Sequence, residues 1–219
     1  EQLELYFQPI YRIEASNRSL VGAEALVRWN HPKRGLLEPN DFIELAEQSG
    51  LVALIDKWAL YRIVGQLKEW EVHPPFYLSM NISADEMADE YLLEVVSAAI
   101  TELGPIEPEL LKLELTETRC MTNPEDSIEK IRALNDIGIE VWIDDFGTGH
   151  SSLSYLKRLP VEVLKLDRFF LNDLEKSEEE RTYLRSVLAT VRSRGKSVIM
   201  EGVSTEGQMK VLQELGCDV

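Results

Sequence analysis

Cysteine and histidine are scarce in this chain, and positive charge is in the minority. The 219 residues include two cysteines, Cys120 and Cys217, and three histidines. The cysteines form no CxxC pair, so neither a zinc ribbon nor a redox dithiol is available, and this usage fits a reducing compartment. The histidines show no spacing typical of metal ligands. We therefore expect a cytoplasmic location, which a membrane-tethered parent protein would also allow.

Acidic residues outnumber basic ones. Asp and Glu total 39 against 23 Lys and Arg, which gives a formal net charge of −16 at pH 7. This charge repels extended DNA and RNA as well as anionic membrane surfaces, so neither polymer is an expected partner. The most apolar stretch, residues 51–64, contains Asp56, Lys57 and Arg62. With no signal peptide visible either, we expect no membrane contact by this segment.

The length of the chain suits a single domain of a longer protein. A chain of this size is long enough for one hydrophobic core and short for two. It begins at Glu1 without an initiator Met and stops at Val219 just as another strand begins. We therefore expect residues 1–219 to be a single domain cut from a multidomain protein, with regulatory domains outside this segment.

Strand and helix patterns alternate after an opening hairpin that turns at residues 17–19. Alternating elements imply parallel strands, so the economical fold is an α/β barrel of eight βα units, which takes about 250 residues. An open doubly wound sheet is the alternative, but no GxGxxG follows the first strand. An eighth strand would begin at Cys217. The predicted strands cover residues 3–10, 20–29, 76–82, 110–115, 140–143, 163–166 and 197–200, and the predicted helices cover 40–48, 52–70, 83–103, 124–138, 152–158, 178–194 and 205–216.

Most polar residues at the predicted strand ends are acidic. A βα barrel has its active site at the carboxyl ends of its strands, so these side chains are expected to meet. Clustered carboxylates repel each other unless protons or cations intervene, and an Asn beside carboxylates suits Mg²⁺ or Mn²⁺. The sequence therefore predicts a divalent metal site. The residues at the six strand ends are Glu24, Asn81, Glu114, Glu117, Asp144, Asp145, Lys165, Asp167 and Glu201.

Taken singly, these residues have simpler explanations. A salt bridge at a barrel rim would explain Glu24 or Glu201 taken alone, and exposure to solvent would explain Lys165. Asp144-Asp145 before a Gly-rich stretch suits a turn. What favours a functional site is that the acids recur at one end of successive strands.

The ordered motifs of the chain resemble an EAL domain, a bacterial cyclic di-GMP phosphodiesterase. The resemblance spans essentially the whole sequence and implies a modified TIM-type (β/α)8 barrel whose first strand is antiparallel and whose last strand is either truncated or continues after Val219. The matching motifs are Gln8-Pro9-Ile10, Glu24-Ala25-Leu26-Val27-Arg28-Trp29, Asn81-Ile82-Ser83, Glu114-Leu115-Thr116-Glu117, Asp144-Asp145-Phe146-Gly147-Thr148-Gly149, Lys165-Leu166-Asp167-Arg168 and Glu201-Gly202-Val203.

The resemblance also implies roles for individual residues. Two ions of Mg²⁺ or Mn²⁺ would activate a water and open one phosphodiester of cyclic di-GMP to give linear pGpG. Lys165 and Glu201 would position and activate the water, and Glu117 would hold the 146–152 loop, which couples the metal site to a homodimer interface. The implied metal ligands are Glu24, Asn81, Glu114 and Asp144 for one ion and Asp145 for the second, and the implied substrate-binding residues are Gln8, Leu26, Arg28 and Asp167.

Three departures from the family pattern bear on activity. His150 stands where Tyr is usual, and Ser204 replaces the second Glu of an EGVE motif. The sequence also ends before a QGY motif whose Gln belongs to the family's active site. The alternative to an enzyme is therefore a catalytically weak EAL domain that acts as a cyclic di-GMP receptor or interaction module. A glycoside hydrolase would need only two acids and would not explain Lys165.

Overall fold

The computed structural model, which describes residues 2–14, 17–83, 92–102, 106–147 and 156–217, opens with three strands, after which helices are interspersed with the remaining strands. The side chains of Glu14 and Asn17 are outside this description. The strands are β1 (Leu3–Glu14), β2 (Asn17–His31), β3 (Gly35–Leu37), β4 (Tyr77–Asn81), β5 (Leu111–Thr116), β6 (Glu140–Phe146), β7 (Val163–Leu166) and β8 (Ser197–Met200). The α-helices are α1 (Ile43–Gln48), α2 (Val52–Glu69), α3 (Leu92–Glu102), α4 (Glu117–Cys120), α5 (Pro124–Asp136), α6 (Glu178–Arg192) and α7 (Glu206–Glu214).

The chain divides into two compact units. The first unit comprises Glu1–Ile10, Val21–Glu114 and Ala133–Glu140, and the second comprises Tyr11–Leu20, Leu115–Arg132 and Val141–Val219. No α-helix within the described ranges is both long and apolar enough to cross a bilayer.

In the first unit, parallel strands carry the candidate acids. Strand β2 pairs with β4 in parallel, and β4 pairs with β5 in the same sense. The start of β1 lies beside the end of β2, where Asn30 N donates a hydrogen bond to Gln2 O over 2.7 Å. Strand β1 therefore runs antiparallel to β2, as predicted. The short strand β3 extends β2 as an antiparallel hairpin.

Helix α2 covers this parallel set with an apolar stripe. Its buried side chains include Ala59, Leu60, Ile63 and Leu67, a spacing that places them on one helical face. The helix packs against β4 and α3. It ends at Trp70, whose ring lies 4.9 Å from that of Phe7, centroid to centroid.

In the second unit, β7 pairs in parallel with both β6 and β8. The register between β6 and β7 shifts between Ile143 and Phe146, which is a β-bulge. Thr205 and Gln208 form a reciprocal capping box at the start of α7, as their spacing predicted.

All seven predicted strands are present, but the sequence did not indicate two short elements. These are β3 and α4, of three and four residues. Some predictions lie outside the described residues: the capping box from Ser83 to Glu86, most of the 152–158 helix, and the last two residues of the strand expected at Cys217. Cys217 itself has no strand assignment.

Gly22 leaves room for an aromatic ring between β2 and β4. It pairs with Tyr77, and a β-carbon at position 22 would lie 2.5 Å from Tyr77 Cε2. We expect Gly22→Ala to destabilise the protein by about 1–3 kcal/mol, because the half-buried ring must move to make room. Thermal unfolding checks this, since about 1 kcal/mol lowers the midpoint by about 2–4 °C at this size.

Gly65 in α2 provides the matched control for this substitution. A β-carbon there meets nothing within 4 Å. Because alanine favours a helix over glycine, Gly65→Ala is expected to raise the melting temperature slightly. Equal melting temperatures for the two variants would contradict the close approach of Tyr77.

Candidate active site

The first unit brings three of the predicted metal ligands to adjacent strands. Glu24 lies on β2, Asn81 ends β4, and Glu114 lies on β5 opposite Asn81 in the parallel register. The Asn81 side-chain amide donates a hydrogen bond to Glu24 Oε1 over 2.8 Å. Glu114 is entirely buried and Glu24 nearly so, whereas Asn81 is exposed. The three polar groups thus mark the carboxyl end of this sheet segment.

Asp56 supports the turn that follows Asn81. This aspartate is buried on α2, and its Oδ2 accepts a hydrogen bond from Ser83 N over 3.1 Å. On the other side, Ile82 N donates to Glu114 O over 2.9 Å. The backbone after Asn81 is therefore held from both a helix and a neighbouring strand. This supporting role of Asp56 was not predicted from the sequence, in which the residue only interrupts an apolar stretch.

Three of the four predicted substrate-binding residues, Gln8, Leu26 and Arg28, lie on the β1–β2 pair, and Asp167 follows β7. Side chains two residues apart share a strand face, so Leu26 and Arg28 lie on the same face as Glu24. The Arg28 guanidinium carbon is 5.5 Å from the centroid of the Tyr6 ring. Because Gln8 lies two residues beyond Tyr6 on β1, its side chain faces the same way. A cation and a polar amide thus share one strand face with a candidate metal ligand.

In the second unit, the bulge in β6 falls on the paired aspartates. Ile143 and Phe146, three positions apart on β6, pair with Leu164 and Leu166, two positions apart on β7, which breaks the strict alternation of side chains. Asp145 has φ +53°, a left-handed conformation that is uncommon outside glycine, although Asp tolerates it better than most residues. Its N–H donates a hydrogen bond to Asp144 Oδ1 over 2.9 Å.

A buried lysine joins this acidic group. Lys165, on β7, is 1% exposed, and its Nζ lies 2.7 Å from Glu201 Oε1 and 3.5 Å from Asp144 Oδ1. The register explains this meeting, because Lys165 is opposite Ile199, and Glu201 lies two residues further along on the same face. An ammonium group with so little solvent requires charged partners, and these two carboxylates provide them.

These two carboxylates, together with that of Asp145, are spaced to hold a divalent cation. One oxygen from each of Asp144, Asp145 and Glu201 lies within 4.8 Å of the others. Opposite ligands around Mg²⁺ are about 4.2 Å apart, since each Mg–O distance is about 2.1 Å. The donors are oxygens only, which suits a hard cation. The residues present therefore fit a divalent metal.

Two further acids fix the backbone around this group. Buried Glu117 accepts a hydrogen bond from Gly147 N through Oε2 over 2.9 Å. Gly147 has φ +93°, and a β-carbon there would lie 2.5 Å from Phe170 Cζ. Asp167 accepts a hydrogen bond from Phe169 N over 2.7 Å and caps a short 3-10 helix. Residues 148–152, which complete the predicted dimer loop and include His150, lie outside the described residues.

The sequence and fold of this chain are similar to those of known proteins. The EAL domain model matches residues 1–219. The chain belongs to the EAL domain family. It is 38% identical over 219 residues to the bifunctional diguanylate cyclase/cyclic di-GMP phosphodiesterase MucR of Pseudomonas aeruginosa, covering 99% of this chain and 32% of MucR. It is 35% identical over 217 residues to the cyclic di-GMP phosphodiesterase PdeR of Escherichia coli, covering 99% of this chain and 32% of PdeR.

A solved structure, the MucR phosphodiesterase in complex with c-di-GMP, matches this EAL domain with a TM-score of 0.91 and 38% identity. The match covers 99% of this chain and 87% of that one. The predicted fold class, a modified TIM-type (β/α)8 barrel, is therefore confirmed. The chain spans about a third of the length of the curated relatives named above. EAL phosphodiesterases are metal-dependent, in keeping with the acidic cluster of Asp144, Asp145 and Glu201.

In this EAL domain, Cys120 ends helix α4, three residues after Glu117. The cysteine is fully buried, and burial raises the pKa of its thiol to about 11. The charge of Glu117 acts in the same direction, while a side-chain hydrogen bond with Ser127 opposes it. No role for Cys120 was predicted from the sequence. Its environment is that of an inert structural thiol.

We expect Cys120 in the folded protein to resist alkylation at pH 8. A pKa near 11 leaves about a hundredfold less thiolate than an ordinary value near 9, and the thiolate is the nucleophile. Mass spectrometry of peptides after treatment with iodoacetamide measures this, with the guanidinium-unfolded protein as the control. Comparable labelling of Cys120 in the folded and unfolded samples would contradict the inert environment.

Proposed function

We propose that this chain hydrolyses one phosphodiester of cyclic di-GMP to linear pGpG in a metal-dependent reaction. The observation that carries the proposal is the contact of buried Lys165 with Glu201 and Asp144. A receptor needs only to hold its ligand, whereas a hydrolase also needs charged groups that orient a water. The names of MucR and PdeR support the substrate and the reaction.

The proposed cofactor is a pair of Mg²⁺ or Mn²⁺ ions. Glu24, Asn81, Glu114 and Asp144 would hold one ion, and Asp145 the other. When bound, such ions lower the pKa of a water and stabilise the leaving oxygen of an in-line displacement. The carboxylate oxygens and the Asn81 amide oxygen of these side chains suit both cations.

The chain's own residues orient the reactants. Lys165 and Glu201, whose Nζ and Oε1 atoms are in direct contact at 2.7 Å, orient the attacking water together, and Glu201 accepts its proton. Arg28 grips a substrate phosphate through two N–H groups. Gln8, Leu26 and Asp167 contact the remaining parts of the dinucleotide. Glu117 keeps Gly147, and with it the end of β6, in position.

Incubation of the purified chain with cyclic di-GMP and Mg²⁺ or Mn²⁺, followed by chromatography, tests the proposal. The expected product is linear pGpG, formed only when metal is present, and EDTA should prevent its formation. The same sample is examined by equilibrium dialysis with cyclic di-GMP. Binding without any product would overturn the hydrolase proposal and favour a cyclic di-GMP receptor.

We further propose a setting for the chain within a larger protein. It would be one EAL domain of a longer, cytoplasmically acting signalling protein, with regulatory domains outside this segment and a homodimer interface around residues 146–152. The relatives' greater length supports this proposal. Light scattering of the purified chain tests the dimer, and a monomer at all accessible concentrations would contradict it.

A further inference from the structure

The loop that follows β8 carries Glu201 and lies against the segment after β7. Glu201 N donates a hydrogen bond to Leu166 O over 3.0 Å, which continues the β7–β8 pairing. The next residue, Gly202, has φ +70°, and a β-carbon there would lie 2.6 Å from Arg168 Cβ. The loop, although exposed at Gly202, therefore approaches Arg168 closely at its start.

The far end of this loop is held by the side chain of Gln208. Its Oε1 accepts hydrogen bonds from Ser204 N at 2.9 Å, Ser204 Oγ at 3.2 Å and Thr205 N at 3.2 Å. Its Nε2 lies 3.5 Å from Leu171 O, in the segment that follows β7. One side chain thus contacts both the loop that begins at Glu201 and the segment that begins after Lys165.

Glu175 strengthens the same anchor. Thr205 Oγ donates a hydrogen bond to Glu175 Oε1 over 2.6 Å and accepts one from Gln208 N over 3.0 Å. The carboxylate of Glu175 lies so close to Gly207 that a β-carbon there would collide with it. A carboxylate is also favoured at the N-terminus of a helix, here α7.

We propose that Gln208 is a positioning residue for the Lys165–Glu201 pair. This inference rests on the proposed hydrolase function. The EGVE motif described above has Glu where this chain has Ser204, and the short serine side chain bonds instead to Gln208. A plain helix cap serves only N–H groups at the helix start, whereas Gln208 also accepts from Ser204 and reaches Leu171. Through these contacts it fixes where the Glu201 carboxylate meets Lys165.

Gln208→Leu removes the acceptor with little change in side-chain size. We expect kcat for cyclic di-GMP to fall at least about tenfold while KM changes less than about threefold, because small misplacements of a reacting group lower the rate strongly. Gln208→Glu keeps an acceptor oxygen for Ser204 and Thr205 and loses only the 3.5 Å contact of Nε2 with Leu171 O, and a capping box accepts Glu as well as Gln. This conservative variant should stay within about threefold of the unchanged protein.

Ser177→Ala is the matched control for lost helix capping. Ser177 caps α6 by accepting a hydrogen bond from Glu180 N. Its substitution should lower the melting temperature by a few degrees, as Gln208→Leu should, without changing kcat. An equal loss of kcat in Ser177→Ala and Gln208→Leu would overturn the inference, as would Gln208→Glu being as poor as Gln208→Leu.

Calorimetric titration with Mn²⁺ separates this inference from the proposed function. A Glu201 oxygen lies within 4.8 Å of oxygens from Asp144 and Asp145, so a displaced Glu201 should weaken Mn²⁺ binding. We expect an approximately tenfold loss of affinity in Gln208→Leu and none in Ser177→Ala. If the unchanged chain gave no pGpG, the hydrolase proposal would fail, and unaltered Mn²⁺ affinity in Gln208→Leu would then reject the positioning role as well.

Discussion

Replacement of Glu24 with alanine is expected to lower kcat by about 10²- to 10⁴-fold and to weaken metal binding. A metal ion contributes several kcal/mol of transition-state stabilisation, and about 1.4 kcal/mol corresponds to a tenfold change in rate. Glu24 is nearly buried and holds the Asn81 amide, so its loss affects two of the proposed ligands together. Steady-state rates across a Mg²⁺ titration measure both effects.

Glu94→Ala is the control for this experiment. Glu94 is an exposed acid on α3 in the same unit, and its removal changes the net charge by the same amount. Its rate and metal dependence should match those of the unchanged protein. Near-normal turnover of Glu24→Ala at limiting Mg²⁺ would show that Glu24 is not a ligand.

Replacement of Lys165 with methionine is expected to lower kcat by about 10²- to 10⁴-fold with a much smaller change in KM. A group that positions the attacking water acts mainly in the transition state, and this range is typical of general acid–base contributions. Methionine keeps much of the side-chain volume at a site that is 1% exposed. Initial rates over a range of cyclic di-GMP concentrations separate kcat from KM.

Lys112 provides a close match for Lys165. It is also a buried lysine in a strand, with its Nζ 2.9 Å from Glu140 Oε1, but it lies at the start of β5. Lys112→Met should lower the melting temperature, since it leaves Glu140 without this partner, and leave kcat close to normal. If Lys165→Met raised KM as much as it lowered kcat, Lys165 would be a phosphate-binding group instead.

The order and type of the main elements could be predicted because long patterns and caps determine them locally. The stripe of α2 and the capping box of Thr205 and Gln208 are examples, since each depends on residues close together in sequence. Strand β3 has only three residues, too few to show alternation, and it forms because β2 extends far enough to pair with it. Helix α4 was missed because Glu117 was read as the end of a strand, where the structure begins a helical turn.

The candidate site was predictable in its residue types but not in its geometry. Recurrent acids at strand ends indicated the Asp144, Asp145 and Glu201 group, because parallel strands end at the same edge of a sheet. Long-range contacts were not visible in the sequence. The contact of Asp56 with Ser83 and that of Glu175 with Thr205 depend on how distant segments fold together. The β6 bulge was also hidden, because a single inserted residue leaves no period of its own.

The left-handed backbone at Asp145 has an evolutionary consequence. A backbone at φ +53° has a steric cost of about 1–2 kcal/mol for most side chains and less for Asp. Glycine does not have this cost, because it has no β-carbon. Glycine's own entropic cost is about 0.5–1 kcal/mol, so the two effects roughly cancel. Mutational drift from aspartate to glycine at this position would therefore meet little resistance from folding stability. A lineage that no longer needed the carboxylate could therefore lose it at little cost in folding free energy.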